Sequence, residues 1–477
     1  MAGIVLTGSD LDLAALVRAA REPGRVELGP DVVERMAENR AFAERIAARG
    51  DGVYGLTRGV GSRKDRDVAV AEAAAFNRRM LRGHATGQGP ALPDDEVRAA
   101  ALCLLNQLAA GRTNARPEIA VAIAERLSSS ARPLPRVRMY GVTGMGDLAP
   151  LADLVTGLLG DVDLAPGEAL PLIGQSSFVT AQAALAVHDA RALLDCLTAL
   201  AALDVEAYAA NPTPYDPVAG EVRPHPGYQR ALARLWALLE GSRLHGEEPR
   251  HLQSPLSFRD AAPVLGAADD ALAYAEERVA IELNAHQQNP LALPERDLML
   301  PVANFDLQVV ATALDLARIA LAPCLTMQVE RSVKLLQASE TGLTTGLEPP
   351  DDRAGQAYSE MAWPLQGIGA EARLLHQPVS AEVGSATQAE GIEDRLTMAH
   401  LGARRTREMA ALGFRVAAIG AVFACQAIDL RGVERLGPPL AARHAAVRAL
   451  VPGLGPGDPP PDDLEPLIAA LAGGLLA

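Results

Sequence analysis

Residues 394–432 read DRLTMAHLGARRTREMAALGFRVAAIGAVFACQAIDLRG, and residues 313–337 read ALDLARIALAPCLTMQVERSVKLLQ. Both keep a helical period, yet apolar side chains cover most of the circumference rather than one stripe. A helix of that kind has to be buried on nearly all sides, in a bundle or at a subunit interface. Hydrophobic residues make up 49% of the chain but aromatics only 3%, so the interior must be built from Ala, Leu and Val. That composition favours close helix–helix contact over a β-sandwich, where aromatic and β-branched residues are enriched. Pro323 is expected to kink the second segment, because it removes a donor from the helix interior.

The remainder of the chain reads as mainly α. A helix is expected over residues 31–50, opening on the acidic cap residue Asp31 and closing on Gly50. Strand candidates are few and short, such as RVEL at 25–28. Loops rich in Pro, Gly and polar residues fall at 212–228, 244–256 and 345–356, and a proline-rich linker from Val451 precedes one last short helix. The expected division is an N-terminal domain over 1–200, a central helical bundle over 201–435 and a C-terminal linker and helix over 436–477.

Several function classes are disfavoured. A formal charge of −15 argues against nucleic acid or an anionic membrane surface as partner. Cys103, Cys196, Cys324 and Cys425 are far apart and form no CxxC pair, which predicts reduced, buried thiols in a cytoplasmic protein. The first residues lack the pattern of a secretory leader, and the longest apolar run, VAAIGAVFACQAI from Val416, is about 13 residues and too short to span a bilayer. The nine histidines are isolated, so no metal is expected. The glycine-rich GVTGMGDL has neither a GK[ST] ending nor a convincing strand before it, so it is no phosphate loop.

Some short stretches have the composition of a site. In VYGLTRGVG, Gly55, Gly59 and Gly61 permit backbone conformations that would project Tyr54 into a cavity, or merely anchor a surface loop. RGHATGQG offers His84, which in isolation reads as structural. LQSPLSFR carries Gln253, Leu256 and Arg259, whose guanidinium suits a carboxylate or a surface ion pair. ANFDLQ supplies Asn304 and Phe305, and EGIEDRLTM supplies Glu393 and Asp394, which most simply cap the helix that follows.

Taken in order over roughly residues 4–430, these segments resemble the aromatic amino acid ammonia-lyases and aminomutases, the histidine ammonia-lyase family. VYGLTRGVG resembles the family's YGVNTGFG, RGHATGQG its SHAAGxG, and NQLAAGRTNARPE its NALAKGYSGVRPE. ALPLIGQSSFVTA resembles ALALINGTQFMTA, LQSPLSFR resembles VQDPYSLR, ELNAHQQNPL resembles ELNSATDNPL, and ANFDLQ resembles GNFHGQ. The resemblance implies a fumarase/aspartase-like fold with a long central helical bundle and a mixed N-terminal domain, assembled as a homotetramer whose active sites draw on several subunits. It implies Tyr54 as catalytic base, Arg259 as carboxylate ligand, and His84, Gln253, Asn304, Phe305 and Glu393 at pocket positions.

The likeness breaks where the family makes its electrophile, a methylideneimidazolone formed from Ala-Ser-Gly. The aligned residues are Gly144, Met145 and Gly146. Ring formation eliminates water from the serine, and methionine has no β-hydroxyl to lose. The accompanying asparagine is Gly174, the tyrosine of YSLR is Leu256, and Arg58 takes a position usually occupied by threonine. Arg58 and the helix that starts after Asp147 are expected to create a positive pocket that lowers the Tyr54 pKa or holds an anion. The expected function is therefore a cofactor-free lyase, isomerase or cyclase, with Tyr54 as general base on an activated carboxylate or carbonyl substrate. The alternatives are an ammonia-lyase or aminomutase with an unconventional electrophile, and a non-catalytic paralogue that binds a ligand or partner.

Overall fold

The computed structural model describes residues 3–68, 73–129, 133–160, 162–350, 357–381 and 387–477. The chain forms two compact units, each discontinuous in sequence. One is built from Met1–His188, Ala275–Leu314 and Pro378–Arg404, the other from Asp189–Tyr274, Asp315–Gln377 and Arg405–Ala477.

The first unit holds the described strands, and they are short. RVEL does form a strand, Val26–Leu28, paired in parallel with Ile4–Leu6 across the helix Leu13–Arg21. Two antiparallel pairs follow, Gln88–Ala91 with Arg138–Tyr140, and Leu291–Leu293 with Leu298–Leu300. The helix expected over 31–50 spans Val32–Ala48, but Asp31 does not cap it. Its carboxylate instead pairs with Arg35 one turn on, at 2.5 Å. Gly50 ends the helix in the left-handed region at φ +81°, a conformation open chiefly to glycine. The core helix Asp94–Ala109 is buried on all sides from Val97 onward, Arg98 included. That guanidinium donates to the carbonyls of Ala19 and Leu127, both at 2.8 Å, and so ties three segments together.

The second unit is a packing of long helical stretches: the later parts of the helices Ser177–Tyr208, Gln308–Leu335 and Ala399–Arg431, the first part of Ala261–Asn284, and Ala362–Leu374. Small residues bring these backbones close, as the aromatic-poor composition predicts. A Cβ on Gly413 would overlap Leu193, one on Gly420 would stand 2.8 Å from Gln328 and Ser332, and one on Gly369 would stand 2.7 Å from Val329. The helix Gln308–Leu335 continues through Pro323 rather than ending there. All four cysteines are free and buried, and burial raises the pKa of each thiol.

Two sequence expectations need correction. Residues 212–228 are not a plain loop: they contain the helix Val218–Val222 and the start of Pro226–Leu238. Proline at the first helical position costs nothing, since that N–H would be unpaired anyway, so the prolines here start helices. The 13-residue apolar run also understated the helices. Gln308–Leu335, Ala399–Arg431 and the span Ala169–Tyr208, which ends in the helix Ser177–Tyr208, are each long and apolar enough to cross a membrane, with 56%, 83% and 94% of their most apolar windows buried within the fold. Interspersed charges hid their length in the sequence. The expected loop at 345–356 begins with the single turn Thr345–Leu347, and residues 351–356 lie outside the described residues. After the proline-rich linker the last helix is Glu465–Ala472.

Candidate active site

The Tyr54 loop is a tight coil closed on itself. The Val53 carbonyl accepts from the amides of Leu56, Thr57 and Arg58, and Thr57 Oγ1 accepts from the Val53 amide at 2.8 Å. Gly55, at φ +73°, lies against Leu170, which a Cβ would overlap. The loop then returns so that the Gly61 amide donates to the Tyr54 phenol oxygen at 2.9 Å. Burial raises the phenol pKa, the Glu393 carboxylate raises it further, and the Gly61 bond offsets part of this.

The direction is opposite to the sequence expectation, and the reason is local. Arg58 does not leave its charge to the phenol: it pairs with Asp67 at 2.9 Å and donates to the Asp65 carbonyl at 3.3 Å. A cavity of about 560 Å³ lies beside the loop, lined among others by Tyr54, Arg58, Lys64, Pro290 and Met299.

The Gly144–Met145–Gly146 turn is fixed from three directions. Gly144 and Gly146 take φ +81° and +80°, and Met145 forms an antiparallel bridge with Asp306. Thr397 Oγ1 donates to the Gly144 carbonyl at 2.8 Å, and the amides of Thr397 and Met398 donate to the Thr143 carbonyl at 3.1 and 3.0 Å. Asp306 is in turn paired with Arg395 at 2.9 Å, and Ser176 Oγ donates to the Phe305 carbonyl at 2.6 Å. The fold therefore brings together Met145, Phe305 and the segment carrying Glu393.

Glu393 caps nothing. Its backbone pairs with Gln388, and the helix begins only at Ala399, whose amide meets Thr397 Oγ1 at 3.4 Å. Asp394 is likewise exposed in the irregular stretch before that helix. Asn304 spends its amide on the His286 carbonyl at 2.9 Å, and His84 Nδ1 meets the Met80 carbonyl of its own helix at 2.7 Å. Both side chains support backbone.

Asp147 was expected to mark the start of the helix behind the turn, and that helix is Leu148–Leu159. Its carboxylate, however, serves a different helix: Oδ2 accepts the Val179 amide at 2.8 Å, in the first turn of Ser177–Tyr208. Complete burial pushes its pKa up to about 7, against the opposing pull of the Val179 and Phe178 amides. This carboxylate therefore serves the positive end of Ser177–Tyr208, not that of the helix it precedes. Asp147 Oδ1, both amide atoms of Gln175 and Ser177 Oγ are buried with no protein partner, so the turn has a polar floor. In the sequence the amide has moved from the family's asparagine, at Gly174, to Gln175. That shift was the available signal.

The family's electrophile does not fit these residues. Met145 offers no β-hydroxyl, and a Cβ on Gly144, needed for the alanine of the triad, would overlap Thr397 Oγ1. A side chain on Gly174 would come within 2.8 Å of Leu170 Cδ1.

Gln253, Leu256 and Arg259 belong to the second unit. Arg259 Nη1 donates to Gln253 Oε1, while Arg259 Nε is buried without a protein partner. Leu256 is 58% exposed, a large apolar side chain presented outward from the same short segment.

A family profile described as "Aromatic amino acid lyase" matches residues 11–164 and 161–449. The histidine ammonia-lyase of Sorangium cellulosum (strain So ce56) is 33% identical over 487 residues, covering 94% of this chain and 93% of its own. That of Symbiobacterium thermophilum is 31% identical, with 93% and 92% covered. Among solved structures, tyrosine aminomutase from Streptomyces globisporus superposes with a TM-score of 0.90 at 26% identity, covering 100% of this chain and 97% of that one. The ergothioneine-degrading enzyme ergothionase from Treponema denticola superposes with a TM-score of 0.89 at 25% identity, with 99% and 98% covered.

Proposed function

The chain belongs to the aromatic amino acid lyase family, and we propose that it acts as a lyase, or a related isomerase or cyclase, without the methylideneimidazolone of that family. One observation carries this reading: the turn that would be cyclised is Gly-Met-Gly, held open by Thr397 where the triad's alanine methyl would stand. With no electrophile to activate an amino group, the substrate has to bring its own activation. That means a good leaving group, or a proton acidified by an adjacent carbonyl. Tyr54 is the base and Arg259 the carboxylate ligand. The protein works in the cytoplasm on a small carboxylate or carbonyl compound, and the homo-oligomer completes the site.

The raised phenol pKa shapes the mechanism. Tyr54 rests as the neutral phenol, hydrogen-bonded to the Gly61 amide, and its deprotonated form is a strong base present in small amount. A positioned base contributes about 10²–10⁴-fold to rate, enough for an activated carbon acid. The same raised pKa favours a second reading, a ligand-binding paralogue in which the phenol is only a hydrogen-bond donor. A screen of β-substituted and α,β-unsaturated carboxylates, followed by Tyr54→Phe on any substrate found, separates the two. Loss of turnover by about 10²-fold or more, with binding retained, is expected. Unchanged turnover rules out Tyr54 as base. Intact mass tests the third reading, an ammonia-lyase or aminomutase with an unconventional electrophile, because a ring made from the backbone shifts the mass from that of the encoded chain and an unshifted mass rules it out.

A further inference from the structure

Within its own segment the carboxylate clamp has the support of Gln253, which accepts from Arg259 Nη1, and the rest of its support comes from elsewhere in the chain. Residues 252–259 form an irregular stretch and a single turn, Leu256–Arg259, on the surface of the second unit. A guanidinium that selects a carboxylate has to be held in direction as well as place, since bidentate recognition depends on the plane of the fork.

The backbone of this segment is gripped from within. The Asn211 side chain donates to the Leu252 carbonyl at 3.0 Å, and the Asn211 amide donates to Ser254 Oγ at 3.0 Å. Tyr215, buried, donates its hydroxyl to the Phe258 carbonyl at 2.5 Å, and Arg331 Nη1 donates to the Ser257 carbonyl at 3.0 Å. The Phe258 ring is buried against Tyr208, with centroids 4.3 Å apart. Gln253, Leu256 and Arg259, whose backbone carbonyls take none of these four bonds, present the outward side chains. Arg331 is itself locked: Nε donates to Asp204 Oδ2 at 2.7 Å and Nη2 to Gln328 Oε1 at 2.6 Å, while Gln328 returns a bond to Asp204 at 3.0 Å. Arg331 is 2% exposed and Asp204 fully buried.

A buried ion pair is a poor way to gain stability, because the desolvation of both charges cancels most of the attraction. It is a good way to fix a direction. We propose that Asp204 and Arg331 are positioning residues for Arg259, holding the 256–259 turn so that its guanidinium meets a substrate carboxylate in the selective orientation. Tyr215 completes the grip one carbonyl further along. The proposal rests on the reading of Arg259 as the carboxylate ligand.

The test compares binding of trans-cinnamate with that of its neutral isostere trans-cinnamamide, by calorimetry, in the full-length chain. The ratio of the two dissociation constants reports how well the guanidinium sees a carboxylate, and a general loosening of the fold weakens both ligands together. Asp204→Asn and Arg331→Lys are expected to lower the preference for cinnamate by about tenfold, the worth of one charge-assisted hydrogen bond. Tyr215→Phe, a milder change that keeps the buried ion pair, is expected to lower it about threefold. Asp204→Glu should restore much of what Asp204→Asn removes. A wild-type chain with no preference for cinnamate, or one whose preference survives Arg259→Gln, overturns the clamp itself. A preference lost in Arg259→Gln but unchanged in the Asp204, Arg331 and Tyr215 variants overturns the positioning proposal and leaves the clamp standing.

Discussion

Gly144 and Thr397 leave no free space for the alanine of the family's triad. Gly144 sits at φ +81°, and the space its Cβ would need is filled by the Thr397 hydroxyl that donates to its carbonyl. Restoring the triad therefore fails at the first residue as well as at Met145. Gly144→Ala should destabilise the fold by about 1–3 kcal/mol from the left-handed backbone alone, with more from the overlap. Gly144→Ala combined with Thr397→Ala should recover the overlap part but not the backbone part, as read from urea unfolding of the two variants. Equal stability of the single and double variants would show that Thr397 does not close the site. A second consequence follows from Tyr54. Its phenol titrates above the usual tyrosine range because burial, and then Glu393, disfavour the phenolate. Activity that depends on the phenolate must rise with pH from neutral upward. Glu393→Gln should shift that rise to lower pH, and Tyr54→Phe should abolish it; a profile flat from pH 7 to 10 in the wild type removes the base role.

At the scale of elements, Asp147 links the turn to the helix Ser177–Tyr208, which begins thirty residues later. Its pKa is raised to about 7 from an ordinary 3.8, so between those values the folded chain holds a proton that the unfolded chain releases. Its contribution to stability is complete below about pH 4 and lost as pH rises through 7. Glu206 and Asp204, raised to about 7 and about 6, act in the same direction. Asp147→Asn keeps an acceptor for the Val179 amide without the charge. The variant should lose less stability than the wild type between pH 5 and 8, and identical pH slopes would contradict the assignment. The same residue shows what the sequence can carry. The apolar helices around 313–337 and 394–432, the RVEL strand and the Tyr54 loop are written locally, in periodicity and in glycine placement, and they are found where they were expected. Asp147 capping a helix across the unit, Asp67 drawing Arg58 away from Tyr54, and Arg331 holding Ser257 are partnerships over distance in the chain. Nothing in a local window distinguishes such a carboxylate or guanidinium from a solvated one. For the same reason Glu393, which reads as a cap, turns out to act on Tyr54 through space.

For the whole molecule, the three most apolar helices are not equally covered. The windows in Ala169–Tyr208 and Ala399–Arg431 are 94% and 83% buried, whereas that in Gln308–Leu335 is 56% buried. Along this helix Val309, Leu316 and Ile319 stand 37%, 44% and 43% exposed, seven and three residues apart and so on one face. Trp363, at 71% exposed, and Leu374, at 65%, repeat the pattern on Ala362–Leu374. Exposed apolar side chains that share one face of a helix suit an interaction surface. An overall charge of −15 gives little reason to place an anionic lipid surface against it. We propose a second copy of the chain as the cover, in keeping with the homotetramer that the family resemblance implies. Light scattering after gel filtration should therefore give about four chains of 49.9 kDa. Ile319→Asp puts a charge at the middle of the face and should shift the chain to smaller species, while its helix content stays unchanged because the substituted residue is already 43% exposed. If binding of a carboxylate probe falls with the oligomer and returns when mixed oligomers are formed with an Arg259→Gln chain, the site draws on more than one subunit. A wild-type monomer with full binding would mean that each chain carries a complete site and that this face serves another partner.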